Sequence, residues 1–148
     1  MMRRLRRFGR ANGGAAAVEF AAVLGPLLLL MFGVFEFGRL LWTREALQET
    51  ATAAARCMGM SASSCSAAGA YSASGATTYI ENTAKNWGIT LTAANITLDN
   101  NATCAGISAA NGFSSVTITY NFQSVVPSIV TSLNGGKTLN STACFPNY

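Results

Sequence analysis

Residues Gly14 to Phe35 read GAAAVEFAAVLGPLLLLMFGVF, and this stretch decides the architecture of the chain. From Ala15 onward it holds 21 residues and a single charge, Glu19. As an α-helix it would be roughly 31 Å long, close to the ~30 Å hydrocarbon core of a bilayer. Gly25-Pro26 interrupts the run. Proline costs a backbone hydrogen bond and breaks a soluble helix, but neighbouring helices offset that loss inside a membrane.

On the N-terminal side, Arg3, Arg4, Arg6, Arg7 and Arg10 crowd the first ten positions, with no acidic residue before Glu19. Arginines ahead of an apolar run mark a cytoplasmic flank under the positive-inside rule. The other five basic residues are Arg39, Arg44, Arg56, Lys85 and Lys137, set against six acidic ones. The pI near 9.1 therefore describes a short tail. A nucleic-acid partner would need a basic face on the folded domain, and none is present. Half of the residues are hydrophobic and only 11% are charged. A soluble globule carries about a quarter charged residues, so the composition also points to a membrane segment.

On the C-terminal side the helical pattern outlasts the apolar run. Leu40, Leu47, Ala51, Ala54 and Met58 fall on one stripe, so a single helix is expected from Ala15 to about Met58. Such a helix is roughly 66 Å long, half in the bilayer and half projecting from it. Gly59 to Gly75 reads as a loop closing on Cys65. A second helix follows from Gly75 or Thr77 to Trp87, ending at Gly88. Then Thr, Ile, Val, Asn and Gly dominate. Ile96-Thr97-Leu98 is a short strand candidate, and Val116, Ile118, Tyr120 and Phe122 alternate with polar residues as the clearest strand. Asn111-Gly112 and Asn134-Gly135 are turn signals, and Thr138 to Phe145 supplies a last strand. The fold class is α+β, with three or four antiparallel strands. The expected organisation is a basic leader over 1–14, a transmembrane helix over 15–37 and an extracytoplasmic domain over 38–148.

Cys57, Cys65, Cys104 and Cys144 all lie beyond the apolar run, across the membrane where disulfides persist. There is no CxxC pair and no histidine, which argues against zinc. Two disulfides are expected and three connectivities are open. Cys57–Cys65, pinning the long helix to the next loop, and Cys104–Cys144, tying the last strand to the start of the sheet, are preferred.

The motif with the most chemical content is Gly14-Ala15-Ala16-Ala17-Val18-Glu19-Phe20 behind the arginines. A cut after Gly14 makes Glu19 the fifth residue of the mature chain. An ordinary secretory signal is cut after its apolar core rather than before it. The arrangement resembles the prepilin peptidase site of type IV pilins and pseudopilins. Those usually begin the mature chain with phenylalanine, whereas here Ala15 stands first. Val18-Glu19-Phe20-Ala21, Pro26-Leu27-Leu28-Leu29-Leu30, Glu36-Phe37-Gly38-Arg39-Leu40 and Ala55-Arg56-Cys57 resemble TadE-like minor pseudopilins of the tight-adherence (Flp) pilus. So does Ala143-Cys144-Phe145-Pro146. The resemblance is most specific from Gly14 to Cys57.

It implies a pilin-like fold on the bacterial inner membrane, single-pass, with the N-terminus cytoplasmic and the C-terminal domain periplasmic. It also implies a structural role in an adhesive pilus. The implied partners are a prepilin peptidase, the major Flp pilin, other minor pilins and inner-membrane lipid. Glu19 with Phe20 becomes the assembly site, its carboxylate pairing with the N-terminal amine of a neighbouring subunit. Glu36 and Arg39, three apart on one helix face near where the membrane should end, read either as a register contact between helices or as a solvated or headgroup-level ion pair worth a few tenths of a kcal/mol. The rivals are a type II secretion pseudopilin and a signal-anchored periplasmic binding or sensor domain that never polymerises.

No nucleotide and no cofactor is implied. Gly136-Lys137-Thr138 imitates the end of a P-loop, but Thr131 stands where the pattern needs glycine. Without histidine, Ser-His and Cys-His nucleophiles are excluded, and Glu81 with Asp99 is the one carboxylate pair conceivable. The expected chain is not an enzyme. Asn95, Asn101 and Asn140 each begin a glycosylation-type sequon, which chance explains in so Asn/Thr-rich a tail.

Overall fold

The computed structural model describes residues 14–107, 110–124 and 138–148. The leader, the Asn134-Gly135 turn and most of the P-loop-like triplet lie outside the described residues. The architecture is α+β, built on one long N-terminal helix, α1 (Gly14–Gly59). At 46 residues it runs about 69 Å. It continues through Pro26, so the interruption expected at Gly25-Pro26 does not break it. Lacking its N–H, Pro26 leaves one i→i−4 hydrogen bond unmade, a local loss within an otherwise unbroken ladder.

The two halves of α1 differ in what they touch. From Gly14 to Phe35 every residue is exposed except the half-buried Leu24 and Gly33. Beyond it the expected stripe is buried from Leu47 on, Leu40 being half-buried: Leu47, Ala51, Ala54 and Met58 form the core with Ala46, Ala55 and Cys57. The stripe also contains polar members that hydrophobic periodicity missed, Glu36, Thr43 and Thr50. The threonines are tolerated there because each hydroxyl donates to the carbonyl one turn back, Thr43 to Arg39 (2.9 Å) and Thr50 to Ala46 (2.7 Å).

After α1 comes a small hairpin where a loop was expected, β1 (Ser66–Ala67) paired antiparallel with β2 (Ala70–Tyr71). Its turn residues Ala68 and Gly69 both have positive φ (52° and 83°), the combination a two-residue type I′ turn demands. Asn or Gly usually supplies the first of these, so Ala68 hid the signal.

Helix α2 (Ala73–Asn86) begins earlier than the sequence suggested. Ser72 is its N-cap and accepts from the Gly75 N–H at 3.3 Å. Gly75 is not the start; a Cβ there would meet the Ser64 carbonyl at 3.0 Å, so its smallness serves a close approach. The C-terminus ends as expected at Gly88 (φ +76°). The Gly88 N–H donates to Lys85 O (2.9 Å) and the Ile89 N–H to Ala84 O (3.0 Å), a Schellman closure with Ile89 and Ala84 both in the core.

The sheet has the order β3 (Ile96–Ala102), β4 (Phe113–Asn121), β5 (Thr138–Pro146), all antiparallel. On central strand β4, Ser114, Val116 and Ile118 are buried, and Phe122 just beyond it is buried too. The outer half of α1 packs on β4, β5 and α2. A polar cluster not foreseen from the sequence locks the C-terminus. The Ser114 hydroxyl lies 2.6 Å from Asn100 Oδ1 and 2.7 Å from Asn147 Oδ1. The Asn147 amide donates to the carbonyls of Asn100 and Asn111.

Gly59 marks the tightest helix–sheet approach. A Cβ there would sit 2.7 Å from both a Phe145 ring carbon and the Pro146 carbonyl. The Gly59 carbonyl also accepts from the Tyr148 N–H at 3.0 Å. Gly59→Val should therefore lower stability by about 1–3 kcal/mol, the usual cost of overpacking. Urea unfolding of the detergent-solubilised chain measures it, and an unchanged midpoint would contradict this packing.

Candidate functional site

The residues singled out from the sequence fall on three levels of the chain. At the lowest, Gly14 and Ala15 open α1, and Glu19 and Phe20 follow one turn later, all exposed. Around Glu19 the helix offers only small or apolar neighbours. Among the described residues, Glu19 has no ion-pair partner. It is an acid on an uncovered apolar rod. α1 is long and apolar enough to cross a membrane, and its most apolar window buries nothing within this chain. A carboxylate on such a helix costs up to about 2.5–3.5 kcal/mol at the bilayer centre and less toward the interface, so a partner from outside the chain can contribute.

The middle level is the junction of the bare and packed halves. Arg39 Nη2 lies 3.1 Å from Glu36 Oε1, and Arg39 Nε lies 3.3 Å from Glu36 Oε2, a two-point contact. Glu36 is only 6% exposed while the Arg39 side chain is 47% exposed, so the pair is buried at its carboxylate and open at its guanidinium. The guanidinium also donates to the Gln123 carbonyl and sits 4.6 Å from the centroid of the buried Phe122 ring. Arg39 thus fastens the end of β4 to the helix. Phe122 and Gln123 were not linked to Arg39 from the sequence, because 84 residues separate Gln123 from it. One turn above, Trp42 meets Trp87 at the end of α2 edge to face, with centroids 5.6 Å apart.

The upper level is cross-linked. The cysteines pair as Cys57–Cys65 and Cys104–Cys144, the preferred connectivity. The first bridge is buried in the core, holding the last turns of α1 to the β1–β2 hairpin. The second joins the segment after β3 to β5 past the central strand, at the exposed Cys144. Burial, and then the Asp99 carboxylate, push the Tyr71 phenol above its ordinary pKa, so it stays neutral at physiological pH. Among the described residues no group of histidine, cysteine, aspartate or glutamate is gathered to hold a metal ion.

A protein-family model described as TadE-like protein matches residues 14–56. No curated protein and no solved structure matches the chain. The matched span begins where α1 begins and ends one residue before the first disulfide cysteine, taking in Glu19, Glu36 and Arg39. Over residues 14–56, which make up most of α1, the chain is similar to TadE-like proteins.

Proposed function

We propose that this chain is a minor pseudopilin, a structural component of the tight-adherence (Flp) pilus or of its assembly machinery. Residues 1–14 are its leader, 15–37 its membrane helix and 38–148 its periplasmic domain. A prepilin peptidase on the cytoplasmic face cuts between Gly14 and Ala15, and the mature chain joins the major pilin and other minor pilins. The role is mechanical rather than catalytic. The observation that carries the reading is Glu19, an acid on the uncovered face of an apolar helix within the TadE-like span.

Cleavage after Gly14 creates a positive α-amine on Ala15, and Ala15, Ala16 and Ala17 let a neighbouring helix approach closely. Glu19 then pairs with the α-amine of an adjacent subunit and sets the axial register between helices. Intact-mass analysis of the membrane fraction tests the processing step. The expected species begins at Ala15. A chain still carrying Met1 to Gly14 in cells with an active peptidase would overturn the proposal.

A further inference from the structure

Trp42 and Trp87 form an exposed aromatic corner. Trp42 is 59% exposed and Trp87 40%, although they touch each other. Among the described residues neither indole N–H has a hydrogen-bond partner. A ring with an apolar body and a free N–H is suited to the bilayer interface, where one end meets acyl chain and the other meets ester or phosphate oxygen.

Height along the helix agrees. Large exposed apolar side chains recur on α1 from Val18 up to Leu41 and Trp42. That run covers about 36 Å of helix, longer than the ~30 Å hydrocarbon core and short of the ~40–45 Å bilayer with its headgroups. With Val18 near one interface, Trp42 falls in the other. A mostly apolar groove lined by Phe32, Phe35, Gly38 and Trp42, with the Glu36–Arg39 pair at its wall, reaches this corner. Exposed Arg44 and Lys85 each lie two residues from one of the tryptophans, placing positive charge where anionic headgroups would be. Exposed Glu45 lies one position further from the membrane along α1.

Trp87 comes from a different element of the fold. It is the C-cap of α2, its N–H donating to Ala84 O at 3.0 Å, and the Schellman closure at Gly88 holds it there. We infer that the sheet domain rests on the periplasmic leaflet through Trp87 beside Trp42, with lipid headgroups and upper acyl chains as the occupant of this corner. The contact fixes the height and tilt of the domain over the bilayer. The inference rests on α1 crossing the membrane, and pilus assembly does not enter it.

The chain holds two tryptophans, so its intrinsic indole fluorescence reports on this corner alone. The full chain is reconstituted at high lipid excess in phosphatidylcholine–phosphatidylglycerol vesicles carrying bromines high on the acyl chain. Trp87→Phe leaves Trp42 as sole reporter, and Trp42→Phe leaves Trp87. The expected result is quenching of Trp87 by the lipid bromines to about the same degree as Trp42, with weak quenching by aqueous iodide. Iodide quenching of Trp87 without bromolipid quenching would overturn the inference and leave anchoring intact. Absence of bromolipid quenching at Trp42 as well would overturn the membrane span itself. Protection of Trp87 from both quenchers, lost on further dilution with lipid, would mean that a second copy covers it, and would also overturn the inference.

Discussion

Cells whose only copy carries Glu19→Val should insert and process the chain normally, yet assemble no surface pili. The substitution removes a charge from an apolar helix, so insertion should be unchanged or improved. Cleavage should proceed, because Gly14 and the upstream arginines are untouched. On the proposed pairing, what disappears is the acceptor for a neighbour's α-amine. Such a pair in low dielectric has no substitute from the described part of this chain, where Glu19 has no ion-pair partner. If Glu19 were instead a tolerated acid that snorkels to the headgroups, the valine variant would build pili as before. Normal pili and adhesion at wild-type protein levels would therefore defeat the pairing.

The second large effect is expected at the sheet. Replacing Cys104 and Cys144 together by alanine should lower stability by about 4 kcal/mol. The bridge closes a separation of 40 residues, and the chain-entropy relation gives that magnitude for a loop of such length. Against a total stability of about 5–15 kcal/mol for an ordinary domain, that is between roughly a quarter and most of the domain's stability. Cys144 is exposed and Cys104 half-buried, so little cavity cost is mixed into this number. The Cys57–Cys65 bridge spans only 8 residues and contributes about 2.5 kcal/mol by the same relation, but both its cysteines are buried in the core, so their removal also opens space there. Urea titration of the detergent-solubilised chain compares the two. A loss under ~1 kcal/mol for the Cys104/Cys144 variant would show that this bridge does not restrain the unfolded chain.

Features governed by strong local periodicity were legible in the sequence. The 3.6-residue stripe from Leu40 to Met58 located the packed half of α1, and the alternation at Val116, Ile118 and Tyr120 located β4. Gly88 marked the end of α2 because a left-handed cap needs a residue without Cβ. What escaped was held by contacts between distant residues or by polar atoms in buried places. Thr50 is a polar residue inside the buried stripe, accommodated because its hydroxyl donates to the Ala46 carbonyl. Ser114 broke the apolar alternation of β4, yet it is buried because Asn100 and Asn147 satisfy it. The β1–β2 turn carries alanine where asparagine or glycine signals a hairpin. Glu36 and Arg39 were visible as a pair, but Phe122 and Gln123, which complete their setting, come from the far end of the sheet. Glu19 was legible in identity and position alike, because one acid in 21 apolar-run residues stands out without any tertiary context.

Chemical coupling across the Glu19 contact tests the account most directly. A lipophilic carbodiimide joins a carboxylate to an amine only when the two are in contact, and peptide mass spectrometry identifies the bond. In assembled pili or in membranes of assembling cells, the expected product is an amide between the Glu19 side chain and the N-terminal α-amine of a processed neighbour, either Ala15 of another copy or the first residue of another mature pilin. Glu19 recovered unmodified, in a sample where other carboxylate–amine contacts of the same pili have coupled, would contradict the account.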